Sequence, residues 1–464
     1  MNETLPQRLP DASARPFVVS HRLVFAIAVP MMIAYVTTPL LGIVDMAVVG
    51  QFGDPALLGG LAAGAIIFDV VFATFNFLRS GTTGLVAQAF GAEDEKEQQA
   101  VFWRAFVLAL GFGLVLILLS PLIVVAGRWF IGGEPRVGEA MAIYVTIRLL
   151  AAPAALGNYA VLGYVLGRGE AGLGLLLQVL LNGINIAFSI HLGLVLGWGV
   201  AGVAWGTVIG ETVALAAGLL IVVRRFARMP AVGWRRLLDS RPIRRMLAVN
   251  GDIMIRSFVL LGAFALFTRQ GAQQGTIILA TNAVLMNFFM IAGYFLDGFA
   301  TAAEQLAGRA VGARWRPAFE RALWLTGLWG FLAAAMLAAL VLISGETMVA
   351  FMTTAEAVRA IAPTYLVWAA LTAITGVLAF QMDGVFIGAT WSRDMRNMML
   401  LSLLIYVVAL ALLPSWLGNH GLWLALHVFL IARGLSLLAM VPLRARQTFG
   451  DPGAAPKNVS RLSG

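Results

Sequence analysis

Long apolar runs recur along almost the whole chain, separated by short polar breaks. Each run is near the ~20 residues that a helix needs to cross the hydrocarbon core of a bilayer. Twelve such runs can be delimited, at about 22–50, 56–80, 102–126, 139–165, 171–196, 200–223, 246–269, 276–303, 320–344, 358–388, 397–417 and 421–442. The pattern predicts an all-α integral membrane protein with twelve transmembrane helices. One break is longer than the rest. Residues 224–245, "RRFARMPAVGWRRLLDSRPIRR", carry eight Arg and one Asp. They divide the chain into an N-lobe (22–223) and a C-lobe (246–442), flanked by tails at 1–21 and 443–464.

Composition agrees with the pattern. Hydrophobic residues make up 60% of the chain and charged residues only 12%, about half the share usual in a soluble domain. Mean hydropathy is +0.88. Fifty Gly and 17 Pro suit helices that pack closely and bend. The absence of Cys excludes disulfides, thiolate metal sites and cysteine nucleophiles. Four scattered His, at 21, 191, 420 and 427, have no metal-ligand spacing, so no metal site is expected. The polar N-terminus lacks a signal-peptide pattern, and the first apolar run is expected to stay in the membrane.

A pI near 10.5 raises the question of nucleic acid. The basic residues are instead distributed as topology signals. With both termini inside, Arg8, Arg15, Arg22, the eight arginines of 224–245, Arg309 to Arg321, Arg393, Arg396 and the tail from Arg444 all fall on the inner side. The outer loops show only Arg128, Arg136, Arg269 and Arg359. Contact with membrane lipid, and no nucleic acid, is the expected use of this charge.

The two halves match at a constant offset. Gly91 pairs with Gly312, 221 residues on (312 − 91), and the same offset pairs Trp103 with Trp324, Phe130 with Phe351, Tyr144 with Tyr365 and Gly167 with Gly388. Six spans per half is an even number, so both halves enter the membrane from the same side. The expected fold is two six-helix lobes, parallel repeats related by pseudo-twofold symmetry, around a central cavity. Transporters that work by rocking two lobes are often built this way.

Several stretches carry a family resemblance. They are "VPMMIAYVTTPLLGIVDMAVVGQFG" (29–53), "FNFLRSGTTGLVAQAFGA" (75–92) and "GNYAVLGYVLGRGEAGLGLLLQVLLNGINIAFSI" (157–190). The second half adds "NGDIMIRS" (250–257), "GYFLDGFATAAEQLAGRAVGA" (293–313) and "FQMDGVFIGAT" (380–390). As an ordered set spanning about 20–442 they resemble the multidrug and toxic compound extrusion (MATE) transporters, and among them the DinF-like branch. The resemblance implies secondary active efflux of amphipathic, often cationic, small molecules by alternating access, driven by H⁺ or Na⁺. It implies no cofactor and no enzyme activity. The expected setting is a bacterial cytoplasmic (inner) membrane, as a multi-pass monomer with both termini cytoplasmic.

One carboxylate stands out. Asp45 lies in the outer half of the first span, in a run otherwise apolar or small. An ionised carboxylate facing hydrocarbon costs several kcal/mol, so Asp45 is expected to face the bundle interior, to be protonated, or both. Such a group can take up a proton and release it on contact with water or a cation. A structural carboxylate bonded to Ser, Thr or Asn is the alternative. The resemblance makes Asp45 the N-lobe coupling residue and Asn185 and Thr207 its neighbours. The family pattern has a second Asp four residues after the Asn, where this chain has Ser189. A Na⁺ site needs carboxylate charge, so this departure favours H⁺ over Na⁺. Asn182, one turn before Asn185, is a partial substitute. Pro30 and Pro39 precede Asp45 on the same helix, and each removes a backbone hydrogen bond and permits a kink.

The second half has its own polar set. Asp252 and Arg256 are four apart, a spacing that predicts an internal salt bridge. Asp297 and Asp383 sit in apolar surroundings, and the resemblance places Asp383 in the C-lobe cation region of other branches. Glu304, Arg79 and Arg433 lie nearer span ends and are expected to snorkel to the interface. Asp69 falls mid-span and is a cavity candidate. So are Met286, Phe288, Phe289 and Met290, deformable surfaces suited to loosely specified ligands. Packing against neighbouring helices is the commoner use of such residues. No Walker-type phosphate loop supports ATP drive, and no HExxH, paired-His or Ser–base constellation supports a membrane enzyme. A lipid-linked oligosaccharide flippase of the same superfamily is the alternative within the class. The scarcity of intramembrane Arg weighs against it, and the two-lobe design against a passive channel.

Overall fold

The computed structural model describes residues 14–132 and 134–450; the tail positions outside these bounds, Arg8 among them, lie outside the described residues. Fifteen α-helices, joined by tight turns, account for nearly all of them. In chain order they are α1 (His21–Gly50), α2 (Pro55–Phe75), α3 (Phe77–Gly91), α4 (Glu95–Ile131), α5 (Pro135–Leu150), α6 (Ala152–Gly167), α7 (Ala171–Phe188), α8 (Gly199–Phe226), α9 (Trp234–Leu237), α10 (Ser240–Gln273), α11 (Thr276–Gly312), α12 (Arg316–Met352), α13 (Glu356–Gly388), α14 (Ser392–Leu417) and α15 (Asn419–Phe449). A seven-residue π-helical segment, Ser189–Val195, extends α7. Among the described residues eleven helical spans are long and apolar enough to cross a membrane, and α5 with α6, bent by 52°, gives a twelfth when the pair is counted as one span.

Polar residues at the breaks start the helices. Ser20 accepts from the Leu23 N–H at 3.2 Å and caps α1. Asp54, Asp94 and Asp239 cap α2, α4 and α10 in the same way. Each satisfies one of the first-turn donors that a helix leaves unpaired. Between α14 and α15 the chain turns at Gly418, whose φ of 56° suits a residue without a side chain.

The repeat is visible in the helix ends. The α2–α3 pair runs Pro55–Gly91 and α11 runs Thr276–Gly312, while α4 runs Glu95–Ile131 and α12 runs Arg316–Met352. Start and end are both displaced by the offset that links Gly91 to Gly312. The copies differ in regularity. The N-lobe helices break at Asn76, bend at Ala151 and loosen to a π-helix at Ser189. Their C-lobe counterparts α11, α13 and α14 are continuous.

The basic segment between the lobes is partly helical. α8 runs to Phe226, α9 occupies Trp234–Leu237 and α10 begins at Ser240. α15 continues through the start of the C-terminal tail to Phe449.

The lobes meet along a seam of glycines. Gly84, Gly91 and Gly312 each face backbone of the opposite lobe so closely that a Cβ would overlap it, and one on Gly308 would overlap the Ala87 side chain across the seam. Close backbone approach through small residues is how helices associate without a hydrophobic driving force from water. Polar bonds reinforce the seam. Gln88 on α3 donates to the Gly388 carbonyl at 3.0 Å, and Gln305 on α11 donates to the Gly167 carbonyl at 3.5 Å. These acceptors are repeat equivalents. The described residues begin and end on this face: Arg15 N–H donates to the Ala313 carbonyl, and Phe449 packs on Phe319.

Candidate functional site

Asp45 is buried, 7% exposed, and its Oδ1 has no hydrogen-bond partner. Its carboxylate is within hydrogen-bond reach of Ser189 and within the field of Arg148. Ser189 Oγ donates to Asn185 Oδ1 at 3.0 Å, and Asn185 Nδ2 donates to Thr207 Oγ1 at 3.1 Å. Asp45, Asn185, Ser189 and Thr207 therefore form one buried polar chain across α1, α7 and α8. Glycines on α8 make room for it. A side chain at Gly206 would overlap Ser189, and one at Gly202 would overlap Gly193 of the π segment. π-helical insertions of this kind often sit at functional positions.

Asn182 belongs to a different bridge. It donates to Thr37 Oγ1 at 3.0 Å and accepts from Gln178 at 3.0 Å. Thr37 is two turns before Asp45 on α1.

Beside this chain lies an N-lobe cavity of about 360 Å³, lined by Asp69, Asn158, Gln178 and Tyr159 among others. It also holds Arg148 and Glu211, which sequence reasoning passed over. Arg148 on α5 donates to the Tyr144 hydroxyl at 2.9 Å, lies 3.5 Å from Glu211 Oε1 and stacks 3.8 Å above the Phe68 ring. The available signal was their place inside apolar runs, but 63 residues separate them (211 − 148) and no local spacing joins them.

A second cavity of about 310 Å³ lies in the C-lobe. Arg79, Arg256, Phe289, Met290, Asp297 and Asp383 line it. Its boundary corrects several expectations. Arg256 does not pair with Asp252. Arg256 and Arg433 both bind the Asp383 carboxylate. Asp252 turns to the α10–α14 contact, where it accepts from Arg396 at 2.7 Å and from Ser392 at 2.8 Å. Pairing Asp252 with Arg256 would take a guanidinium from Asp383 and leave Arg396 without its carboxylate, and unpaired buried charge is the costlier outcome.

Glu304, Arg79 and Arg433 do not snorkel. All three line the C-lobe cavity, with Glu304 3% and Arg433 2% exposed. Arg79 bonds Asn76 at 3.1 Å and Ser80 at 3.0 Å, and lies 3.9 Å from Glu304 across the seam. Intramembrane arginines are therefore not scarce. Four of them line the two cavities.

Of the four aromatic and sulfur candidates within 286–290, Phe289 and Met290 line the cavity. Met286 packs into the C-lobe core, and Phe288 lines a separate pocket of about 40 Å³ between α11, α12 and α13. Successive helical residues point about 100° apart, so a short run cannot all face one space.

The two cavities meet at Tyr35, Asn76 and Arg79, which line both. The Tyr35 hydroxyl lies 3.0 Å from Thr301 Oγ1 of α11. Among the described residues, the direct polar contacts between lobes lie at this level or nearer the chain ends. The cavities are thus closed on the chain-end face.

Two six-helix lobes that share a polar cavity closed on one face define a multi-pass membrane transporter. A MatE family profile matches residues 30–191 and 253–413, once in each half. The chain belongs to the MATE family. It is 38% identical over 431 residues to the DNA damage-inducible protein F of Escherichia coli (strain K12), covering 91% of this chain and 92% of that one. It is 25% identical over 464 residues to a probable multidrug resistance protein NorM of Chromobacterium violaceum, covering 92% and 94%. Among solved structures, the outward-facing conformation of a multidrug resistance MATE family transporter of the MOP superfamily superposes with a TM-score of 0.83 at 20% identity, covering 92% of this chain and 96% of that one.

Proposed function

We propose that this chain is a proton-coupled exporter of amphipathic cationic compounds, working by alternating access in a bacterial inner membrane with both termini cytoplasmic. In that orientation the closed seam faces the cytoplasm and the cavities open outward. Relatives whose names assign them to multidrug resistance support the transport class.

The observation that carries the substrate reading is the balance of free charge. Each cavity arginine has a carboxylate within 4 Å: Arg79 has Glu304, Arg148 has Glu211, and Arg256 and Arg433 share Asp383. Asp69 and Asp297 line the cavities without such a partner. Four arginines thus stand against five lining carboxylates, a formal balance of one negative charge left for a ligand, and the aromatic and Met walls suit an apolar body.

Asp45 is the coupling residue in this reading. It has one carboxylate, with hydroxyl and amide neighbours, where a Na⁺ site needs more oxygen ligands and more charge. Arg148 lies 3.5 Å from Glu211, shares the N-lobe cavity lining with Asp69, and its charge also bears on Asp45. It therefore connects the proton site with the substrate cavity through a single positive charge.

The test is ethidium efflux from a pump-deficient strain in sodium-free buffer, with Asp45→Asn beside the wild-type chain. Wild-type efflux that a protonophore abolishes, and that the variant lacks, is the expected result. Equal efflux by the variant removes Asp45 from the mechanism, and efflux that needs added Na⁺ overturns the ion.

A further inference from the structure

The segment that joins the lobes covers an apolar groove of about 640 Å³ that the transport reading does not use. Trp103 and Val107 of α4 form one wall and Phe226 closes the end of α8. Trp234 and Leu237 of α9 and Met246 of α10 form the other. The groove therefore touches the N-lobe, the connecting segment and the first helix of the C-lobe.

Its base is held by polar bonds to backbone. Arg104, 7% exposed, donates from Nε to the Leu237 carbonyl at 3.0 Å and pairs with Glu97 at 2.9 Å. Gln99 donates to the Pro230 carbonyl at 2.9 Å. Arg236 takes both Asp94, at 2.5 Å, and Glu97, at 3.1 Å. These contacts consume the acidic groups near the groove. Asp239 caps α10 through the Arg241 N–H at 3.0 Å.

The charged residues that adjoin the groove's lining in sequence without a partner are positive. Arg224, Arg228, Arg235, Arg241 and Arg244 are exposed, and none forms an ion pair among the described residues. Trp234 is 78% exposed and Leu238 71% exposed beside them. Trp next to Arg, at the end of a span, is the composition of a membrane–water interface. An apolar trough with a cationic rim at that depth matches a molecule with acyl chains and an anionic head. We infer that the groove is a binding site for one anionic phospholipid, its chain along Trp103 and Met246 and its phosphate on the arginine rim. A zwitterionic lipid offers no net charge to this rim, and a cationic transport substrate is repelled by it. Because the bound lipid would touch α4 and α10 together, its occupancy responds to movement between the lobes.

Native mass spectrometry of the full-length detergent-solubilised chain tests this. Phosphatidylglycerol and phosphatidylethanolamine with identical acyl chains are titrated separately. The wild-type chain is expected to retain one phosphatidylglycerol with at least about fivefold preference over phosphatidylethanolamine. The variant Arg235→Gln/Arg241→Gln/Arg244→Gln should lose the preference, and Val107→Trp, which fills the groove, should lose the retained lipid. Equal retention of the two lipids by the wild-type chain overturns the site without reference to any variant. Retention of phosphatidylglycerol by a folded Val107→Trp chain, shown by an unchanged melting profile, overturns the groove as its location.

Discussion

The Tyr35 hydroxyl lies 3.0 Å from Thr301 Oγ1, joining α1 of one lobe to α11 of the other where the two cavities meet. Pro39 lies four residues after Tyr35 on the same helix and has no N–H to return to the Tyr35 carbonyl. Thr37 Oγ1 donates to the Ala34 carbonyl at 2.7 Å, a bond that also favours a bend. The contact between lobes therefore sits on the softest turn of α1. Removing it by Tyr35→Phe should shift the lobe equilibrium by about fivefold, the worth of a hydrogen bond near 1 kcal/mol. Labelling of a single cysteine introduced at Ala92, next to the Gly91–Arg309 contact of the seam, reads the shift without background, since the chain has no Cys. An unchanged labelling rate would show that the bond does not hold the lobes.

Ser189 occupies the place of the missing second carboxylate. Ser189→Asp puts one beside Asp45, four residues after Asn185 and at the start of the π segment. Two close carboxylates favour a bound cation or a shared proton. The variant should gain several degrees of thermal stability in NaCl over choline chloride, and the wild-type chain should not. A wild-type chain that gains as much would restore Na⁺ as its coupling ion.

Asp383 bridges Arg256 and Arg433 and offsets one of their two charges. Asp383→Asn leaves two buried guanidinium groups facing each other. The cost of breaking such a cluster is about 3–5 kcal/mol, so loss of most folded protein is expected in a detergent melt. The double variant Asp383→Asn/Arg256→Gln should recover part of it. A single variant as stable as the wild-type chain would show that water in the cavity already screens the pair.

Asp69 and Asp297 should act on charge and not on shape. Asp69→Asn or Asp297→Asn is expected to raise the apparent KM for a cationic dye about tenfold, the scale of a lost charge-assisted bond. Transport of a neutral amphipath should be nearly unchanged. Equal losses for both compounds would mean that these groups only maintain the cavity.

The spans, the division at 224–245 and the 221-residue offset were legible because each is a property of sequence order. The neighbours of Asp45 were legible through family pattern, with Ser189 read from its departure. Long-range ion pairs were not. The spacing of Asp252 and Arg256 pointed to a local bridge, yet each has a partner more than a hundred residues away. Arg148 and Glu211 carry no spacing signal, because their meeting depends on the bend at Ala151 and the packing of α5 on α8. Arg79 and Glu304 were placed near span ends by counting along straight helices. The break at Asn76 and the long α11 put both at the cavity floor instead.

The three irregularities of the N-lobe fall on the helices around Asp45 and Arg148, while the matching C-lobe helices run without interruption. The two halves of an internal duplication have thus diverged in stiffness more than in shape. Asp45 lies in the half whose backbone bonds are already incomplete, so the energy of a small local rearrangement is low there. The other half transmits that rearrangement as a lever, because it has few places at which to absorb it.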